Sequence, residues 1–194
     1  MSRGWSFTVE TMGFGAGTVH IHAEIIERCR RGDREAHYQL FKLYSRSMYN
    51  IAYRIVTDRD EAEDVLQEAF ISAFRSLDHY RGDASFGSWL KRIVVNKAIN
   101  VLKNRRTERF PDDEKFDVPE EAWEEREIPY SIDRIRKAME ALPDGYRSVL
   151  SLYLLEGYDH GEIAEILGIS ESTSKSQFNR SKKKLREILE GGKI

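Results

Sequence analysis

Three of the chain's four prolines, Pro111, Pro119 and Pro129, fall within residues 107–130, a stretch where ten acids outnumber three bases. Proline removes a backbone donor and interrupts helix and sheet alike, and so acidic a segment has too little apolar surface to build a core. The stretch predicts a flexible acidic linker that divides the 194 residues into two units, 20–106 and 131–194. Each unit is near the lower size limit for a core of its own. Ahead of them, the glycine-rich residues 1–19 lack both apolar periodicity and the basic start and apolar run of a signal peptide, so they read as a disordered leader.

Both units carry helical spacing. Ala36, Leu40, Tyr44, Met48, Ile51, Ala52 and Ile55 recur every three or four residues, with Asp33 placed to cap the start. Ala62, Val65, Leu66, Ala69, Ala73 and Leu77 make a second stripe. After a turn-rich loop at 79–85, Trp89, Leu90, Ile93, Val94, Ala98, Val101 and Leu102 make a third. Beyond the linker, Ile132, Ile135, Met139 and Leu142 form an amphipathic helix stopped by Pro143-Asp144-Gly145. Val149, Leu150, Tyr153 and Leu154 form another, ended at Gly157. The expected fold is all-α: two small helical domains joined by the acidic linker.

The formal net charge of −2 is a cancellation of blocks. Residues 58–78 hold seven acids and two bases. Residues 81–106 hold seven bases and one acid, the linker is acidic again, and residues 170–186 hold six bases and one acid. Basic blocks of this size suit a phosphate backbone. The lone Cys29 excludes a disulfide framework and a cysteine-based zinc site, and points to a reducing, cytoplasmic setting. No apolar run is long enough for a membrane helix, so no direct membrane insertion is expected. His20, His22, His37, His79 and His160 are scattered. No His-x-x-x-His, phosphate-binding glycine loop or nucleophile elbow accompanies the carboxylates. No catalytic residues, metal, cofactor or small-molecule substrate are expected; the chain reads as a non-enzyme.

The most informative run is HGEIAEILGISESTSKSQFNRSKKKL at 160–185. A short helix with Ile163, Ala164 and Leu167 inward is followed by Gly168, which supplies a turn conformation. Ser170 then caps a second, basic helix. This is a helix-turn-helix pattern whose second helix has the charge of a major-groove reader. On that helix the reading residues are Ser172, Thr173, Lys175, Ser176, Gln177, Asn179 and Arg180. Gln177 and Asn179 carry amides suited to adenine, Arg180 suits guanine or phosphate, and Lys182, Lys183 and Lys184 suit phosphates.

Four stretches together resemble the extracytoplasmic-function (ECF) sigma factors, the minimal two-domain specificity subunits of bacterial RNA polymerase. They are DEAEDVLQEAF at 60–70, FGSWLKRIVVN at 86–96, the acidic linker, and GYDHGEIAEILG at 157–168. The resemblance implies a chain that binds core RNA polymerase, reads the minus-ten and minus-thirty-five promoter elements and promotes melting. It places polymerase docking on Asp60, Glu61, Asp64, Gln67 and Glu68. It places minus-ten DNA on Tyr80, Arg81, Phe86, Lys91, Arg92, Asn96, Lys97 and Asn100, with the loop at 79–85 capturing a flipped base. Minus-thirty-five DNA falls to the helix-turn-helix residues named above together with Lys183. Core RNA polymerase, promoter DNA and an anti-sigma protein are the implied partners. Ser174 departs from the pattern, standing where an apolar residue is usual, and Asn100 stands where an acid is common. Gln177 and Asn179 replace more basic residues, so base preference does not carry over from relatives.

A second reading is a helix-turn-helix regulator whose first domain senses a ligand or dimerises. The acidic ridge followed by an aromatic and basic helix has no purpose in such a sensor.

Overall fold

Side chains at the helix starts set the element boundaries. The computed structural model of the chain describes residues 17–105 and 130–191, so residues 1–16 of the expected leader and nearly all of the acidic stretch lie outside the described residues. The described residues form eight α-helices and no strand. The helix α1 (Gly17–Arg30) begins inside the stretch read as a leader. Asp33 caps α2 (Arg34–Val56), accepting from the Glu35 and Ala36 amides at 2.9 and 3.2 Å, while Arg28 Nε holds its other oxygen at 2.8 Å. Asp58 caps α3 (Arg59–Arg75) through the Glu61 amide at 3.0 Å. Ser85 caps α4 (Phe86–Asn104) through the Ser88 amide at 3.1 Å. Each such cap satisfies a helix-terminal donor and contributes about 1 kcal/mol.

Ala36, Ala52, Ala62, Ala69, Ala73 and Ala98 are fully buried on α2, α3 and α4. Small side chains let these helices pack closely, with Leu40, Ile55, Val65, Leu90, Val94 and Ile99 filling the space between them. The buried stripe of α4 is Phe86, Leu90, Val94, Val95, Ala98, Ile99 and Leu102. Trp89, Ile93 and Val101, expected inward, are only half-buried at its edge.

The second unit holds α5 (Ile132–Glu140), α6 (Asp144–Leu154), α7 (His160–Leu167) and α8 (Glu171–Glu190). Asp159 and Glu162 make a reciprocal capping box on α7, each side chain accepting from the other residue's amide at 2.8 and 3.0 Å. Gly168 ends α7 at φ 74°, in the left-handed region that favours glycine, and Ser170 caps α8 through the Thr173 amide at 3.0 Å. This is the expected helix-turn-helix.

The two units share one apolar cluster, with α6 against α2 and α7 against α4. The seam is also polar. α2 turns out sharply at Thr57, a β-branched residue at φ 56°, leaving the Ile55 and Val56 carbonyls facing the second unit. Arg147 from α6 donates to the Ile55 carbonyl at 3.1 and 3.3 Å, and Arg105 donates to the Val56 carbonyl at 2.9 Å. Two guanidinium groups thus meet the negative end of the α2 dipole.

Candidate nucleic-acid and polymerase interface

On α3, Asp60, Asp64, Gln67 and Glu68 are exposed, forming a ridge opposite the buried Ala62, Val65, Leu66 and Ala69. Two of the five acidic-ridge residues also face inward partners. Glu61, half-exposed, pairs with Arg105, whose Nε donates to its Oε1 at 3.1 Å. Glu68 accepts from Lys97 of α4 at 3.2 Å. The residues expected to dock polymerase and those expected to hold DNA are therefore tied by a charge pair.

The loop before α4 is held in place by its own polar contacts. Arg30 donates to the Tyr80 carbonyl at 2.6 Å, and the Tyr80 hydroxyl donates to the Ala84 carbonyl at 2.7 Å. Tyr80, Phe86 and Trp89 pack ring against ring, with centroids 5.3–5.7 Å apart. Phe86 is only 2% exposed and also meets Tyr44 edge-on at 5.3 Å. Its ring supports Tyr80 from below and offers no stacking surface, which corrects the expectation from sequence. Arg81, Arg92, Asn96 and Asn100 are exposed, and Lys91 and Lys97 are half-buried.

The phase of α8 sorts the residues of the reading helix. Ser172, Lys175 and Lys183 are exposed, with Ser176, Asn179 and Arg180 half-buried beside them, so that 172, 175, 176, 179 and 183 make one outward ridge. Gln177 is 1% exposed and Thr173 8%, both turned into the core. These two are corrected to packing residues, since a side chain enclosed on that scale cannot reach a base edge. Lys175 is paired with Glu171 at 2.7 Å.

The Ser174 departure has a physical account. Ser174 is fully buried and its Oγ hydrogen-bonds with His160 Nδ1 at 2.9 Å. His160 in turn stacks on Tyr153 at 4.6 Å and meets Phe178 edge-on at 5.5 Å. Its pKa is lowered, first by burial and then by nearby Lys175, so the neutral ring is the favoured form. Ser174 therefore stays satisfied where an apolar residue would otherwise fill the site. Tyr153, Phe178 and Lys182 line a groove of about 470 Å³ beside the reading ridge.

Sequence reasoning did not find the residues of the seam. Arg54 pairs with Glu156, Lys91 Nζ donates to the Glu156 carbonyl at 2.6 Å, and Lys91 lies 4.9 Å from the Tyr158 ring centre. These contacts join positions 65 or more apart in sequence, and no local pattern announces them. Burial pushes the Cys29 thiol up to about 11, making it a poor nucleophile. No group of three or more His, Cys, Asp or Glu suited to a metal occurs among the described residues. No helix there is long and apolar enough to cross a membrane.

Comparison with known proteins agrees with this geometry. Residues 40–108 match the family described as Sigma-70 region 2, and residues 132–185 match the family described as Sigma-70, region 4. The chain is 32% identical over 182 residues to the RNA polymerase sigma-H factor of Pseudomonas aeruginosa, covering 86% of this chain and 93% of that protein. It is 32% identical over 178 residues to the ECF RNA polymerase sigma factor SigM of Mycobacterium tuberculosis, covering 92% of this chain and 89% of that protein. In fold it is similar to the sigma factor RpoE of Bartonella quintana, solved with the anti-sigma factor NepR. That likeness has a TM-score of 0.54 at 22% identity, over 80% of this chain and 98% of that one. Two sigma-region matches in order, on an all-helical chain with an acidic ridge and a basic reading helix, place the protein: it belongs to the ECF family of RNA polymerase sigma factors, which initiate transcription with core RNA polymerase.

Proposed function

We propose the following division of labour along the chain. The unit at 20–106 docks polymerase and handles minus-ten DNA, the stretch 107–130 links the units, and the unit at 131–194 reads minus-thirty-five DNA. The exposed acidic ridge, Asp60, Asp64, Gln67 and Glu68, is the polymerase-docking face, with Glu61 bracing it through Arg105. What supports this is an acidic, exposed helix face backed by a fully buried apolar stripe, a surface built for a partner rather than for packing.

Melting is assigned to α4 and its preceding loop. Extruding a base from a duplex costs a few kcal/mol, which ring stacking and base-edge hydrogen bonds can offset. Tyr80 is the stacking surface, seated on Phe86 and Trp89. Asn96 and Asn100 are exposed amides, and Arg81, Lys91, Arg92 and Lys97 hold the separated strand. On α8, Ser172, Lys175, Ser176, Asn179 and Arg180 read the major groove, and Lys183 grips phosphate. The reaction is recognition and strand separation, with no bond chemistry by this chain. It acts in the cytoplasm, and an anti-sigma protein is a further partner; the RpoE and CnrH structures similar in fold were each solved with a bound second protein.

The observation that carries the assignment is the pairing of the acidic ridge on α3 with the exposed polar and basic ridge on α8 in one chain. Affinity capture of core RNA polymerase tests the first half: the native chain is expected to retain core enzyme and Asp64→Lys to lose it. Equal retention would sink the docking assignment.

A further inference from the structure

The basic face of α4 already has an occupant. Lys91 donates to the Glu156 carbonyl at 2.6 Å and faces the Tyr158 ring, Lys103 donates to the Ile166 carbonyl at 3.4 Å, and Arg92 faces Glu165 at 3.9 Å. All four partners lie within residues 156–166 of the second unit, the α6–α7 loop and α7. Carbonyl oxygens, a carboxylate and an aromatic face are the groups by which a nucleic-acid strand engages basic side chains. The cover is anchored at its edge by Arg54, which pairs with a Glu156 side chain only 6% exposed. It is anchored beneath by the buried Arg147 on the Ile55 carbonyl. The ridge of α3, by contrast, stays open, with Asp60, Asp64 and Gln67 exposed, and so do Ser172, Lys175 and Lys183 on α8.

We infer that residues 156–166 are an intramolecular competitor of the separated DNA strand, so that the folded chain is closed toward minus-ten DNA while it is open toward polymerase. The inference rests on the proposed role of α4. It orders events: the polymerase-docking ridge is available first, and the strand-holding face becomes available only when the second unit swings off α4. A closed form in excess reduces the apparent affinity for a ligand of the open form by the open fraction.

The test uses the full chain with dyes at Glu63→Cys and Glu190→Cys, both exposed positions, and a random-sequence single-stranded 12-mer as the DNA probe. Arg54→Glu makes the chain more negative and by charge alone weakens DNA binding. The inference predicts the opposite, namely a longer dye distance, binding about tenfold tighter, and a log–log salt slope steeper by about 2 as three cations are freed. The charge swap Arg54→Glu with Glu156→Arg restores the native distance. Glu156→Gln, a smaller change that keeps the backbone carbonyl, carries the distance test should Arg54→Glu not fold. An unchanged distance in both single variants, or weaker DNA binding by Arg54→Glu, overturns the inference. Failure of the underlying role of α4 looks different: the distance lengthens in the variants, but the DNA affinity and its salt slope do not change.

Discussion

Replacing Arg147 is expected to be the most damaging single change at the seam. The residue is 3% exposed, and its guanidinium donates to the Ile55 carbonyl twice, to the Leu142 carbonyl at 2.7 Å, and pairs with Asp144. Arg147→Ala leaves two buried carbonyls and a carboxylate without this partner. Removing one side of a buried charged pair costs about 3–5 kcal/mol, and hydrogen bonds to charged groups contribute about 1.5–3 kcal/mol each, not additively. Asp144 keeps Arg105 at 3.7 Å, so the lower part of that range, about 3 kcal/mol, is expected. With a urea slope of about 2–3 kcal/mol/M, the midpoint falls by about 1–1.5 M. Far-UV circular dichroism against urea reads this directly. Because Arg147 joins α6 to the end of α2, the variant is also expected to split one cooperative transition into two. Arg147→Lys keeps the charge but not the fork that spans two carbonyls, so it recovers about half of the loss. A loss under about 1 kcal/mol for the alanine variant, or a lysine variant as stable as the native chain, would refute the reasoning.

Three further outcomes follow from the same geometry. Lys183→Ala should weaken duplex DNA binding evenly across sequences and reduce the log–log salt slope by about 0.9, whereas Gln177→Ala should cost about 1–3 kcal/mol of stability and leave the salt slope alone; titrations at several salt concentrations separate the two. His160 has a folded-state pKa below its ordinary 6.5, so its neutral form stabilises the fold above that pH and the contribution is lost as pH falls through the lowered value. Urea midpoints from pH 7.5 to 5 should drop more steeply for the native chain than for His160→Gln, and parallel curves would contradict the assignment. Asp64→Lys, on an exposed helix face, should shift stability by no more than about 0.5 kcal/mol by urea denaturation, which makes its expected loss of polymerase capture a binding effect.

Helix spacing, caps and the Gly168 turn were legible before any coordinates, because they depend on neighbours within four residues. Asp33, Ser170 and Gly168 each act where local chemistry placed them. The acidic ridge was legible for the same reason, since Ala62, Val65, Leu66 and Ala69 fix the inward face and leave Asp64, Gln67 and Glu68 outside. Helix phase in a polar run was not. In residues 171–184 only Phe178 is a strong apolar marker, so Gln177 and Asn179 looked equivalent, yet one is enclosed and the other borders the surface. Phe86 at a helix start looked like a platform because aromatic exposure depends on Tyr44, 42 positions away, packing over it. Arg105 and Arg147 were invisible as a pair, their meeting point being created by the left-handed exit of α2 at Thr57.

The central claim is that this chain confers promoter-specific initiation on core RNA polymerase through both of its units. Run-off transcription over a library of promoter sequences, with core enzyme alone and with core enzyme plus the native chain, measures it most directly. The account predicts transcripts only when the chain is present, from templates sharing two elements at fixed spacing, with both Asp64→Lys and Lys183→Ala reducing yield. Duplex DNA binding by the chain with no polymerase-dependent transcript from any template would contradict it.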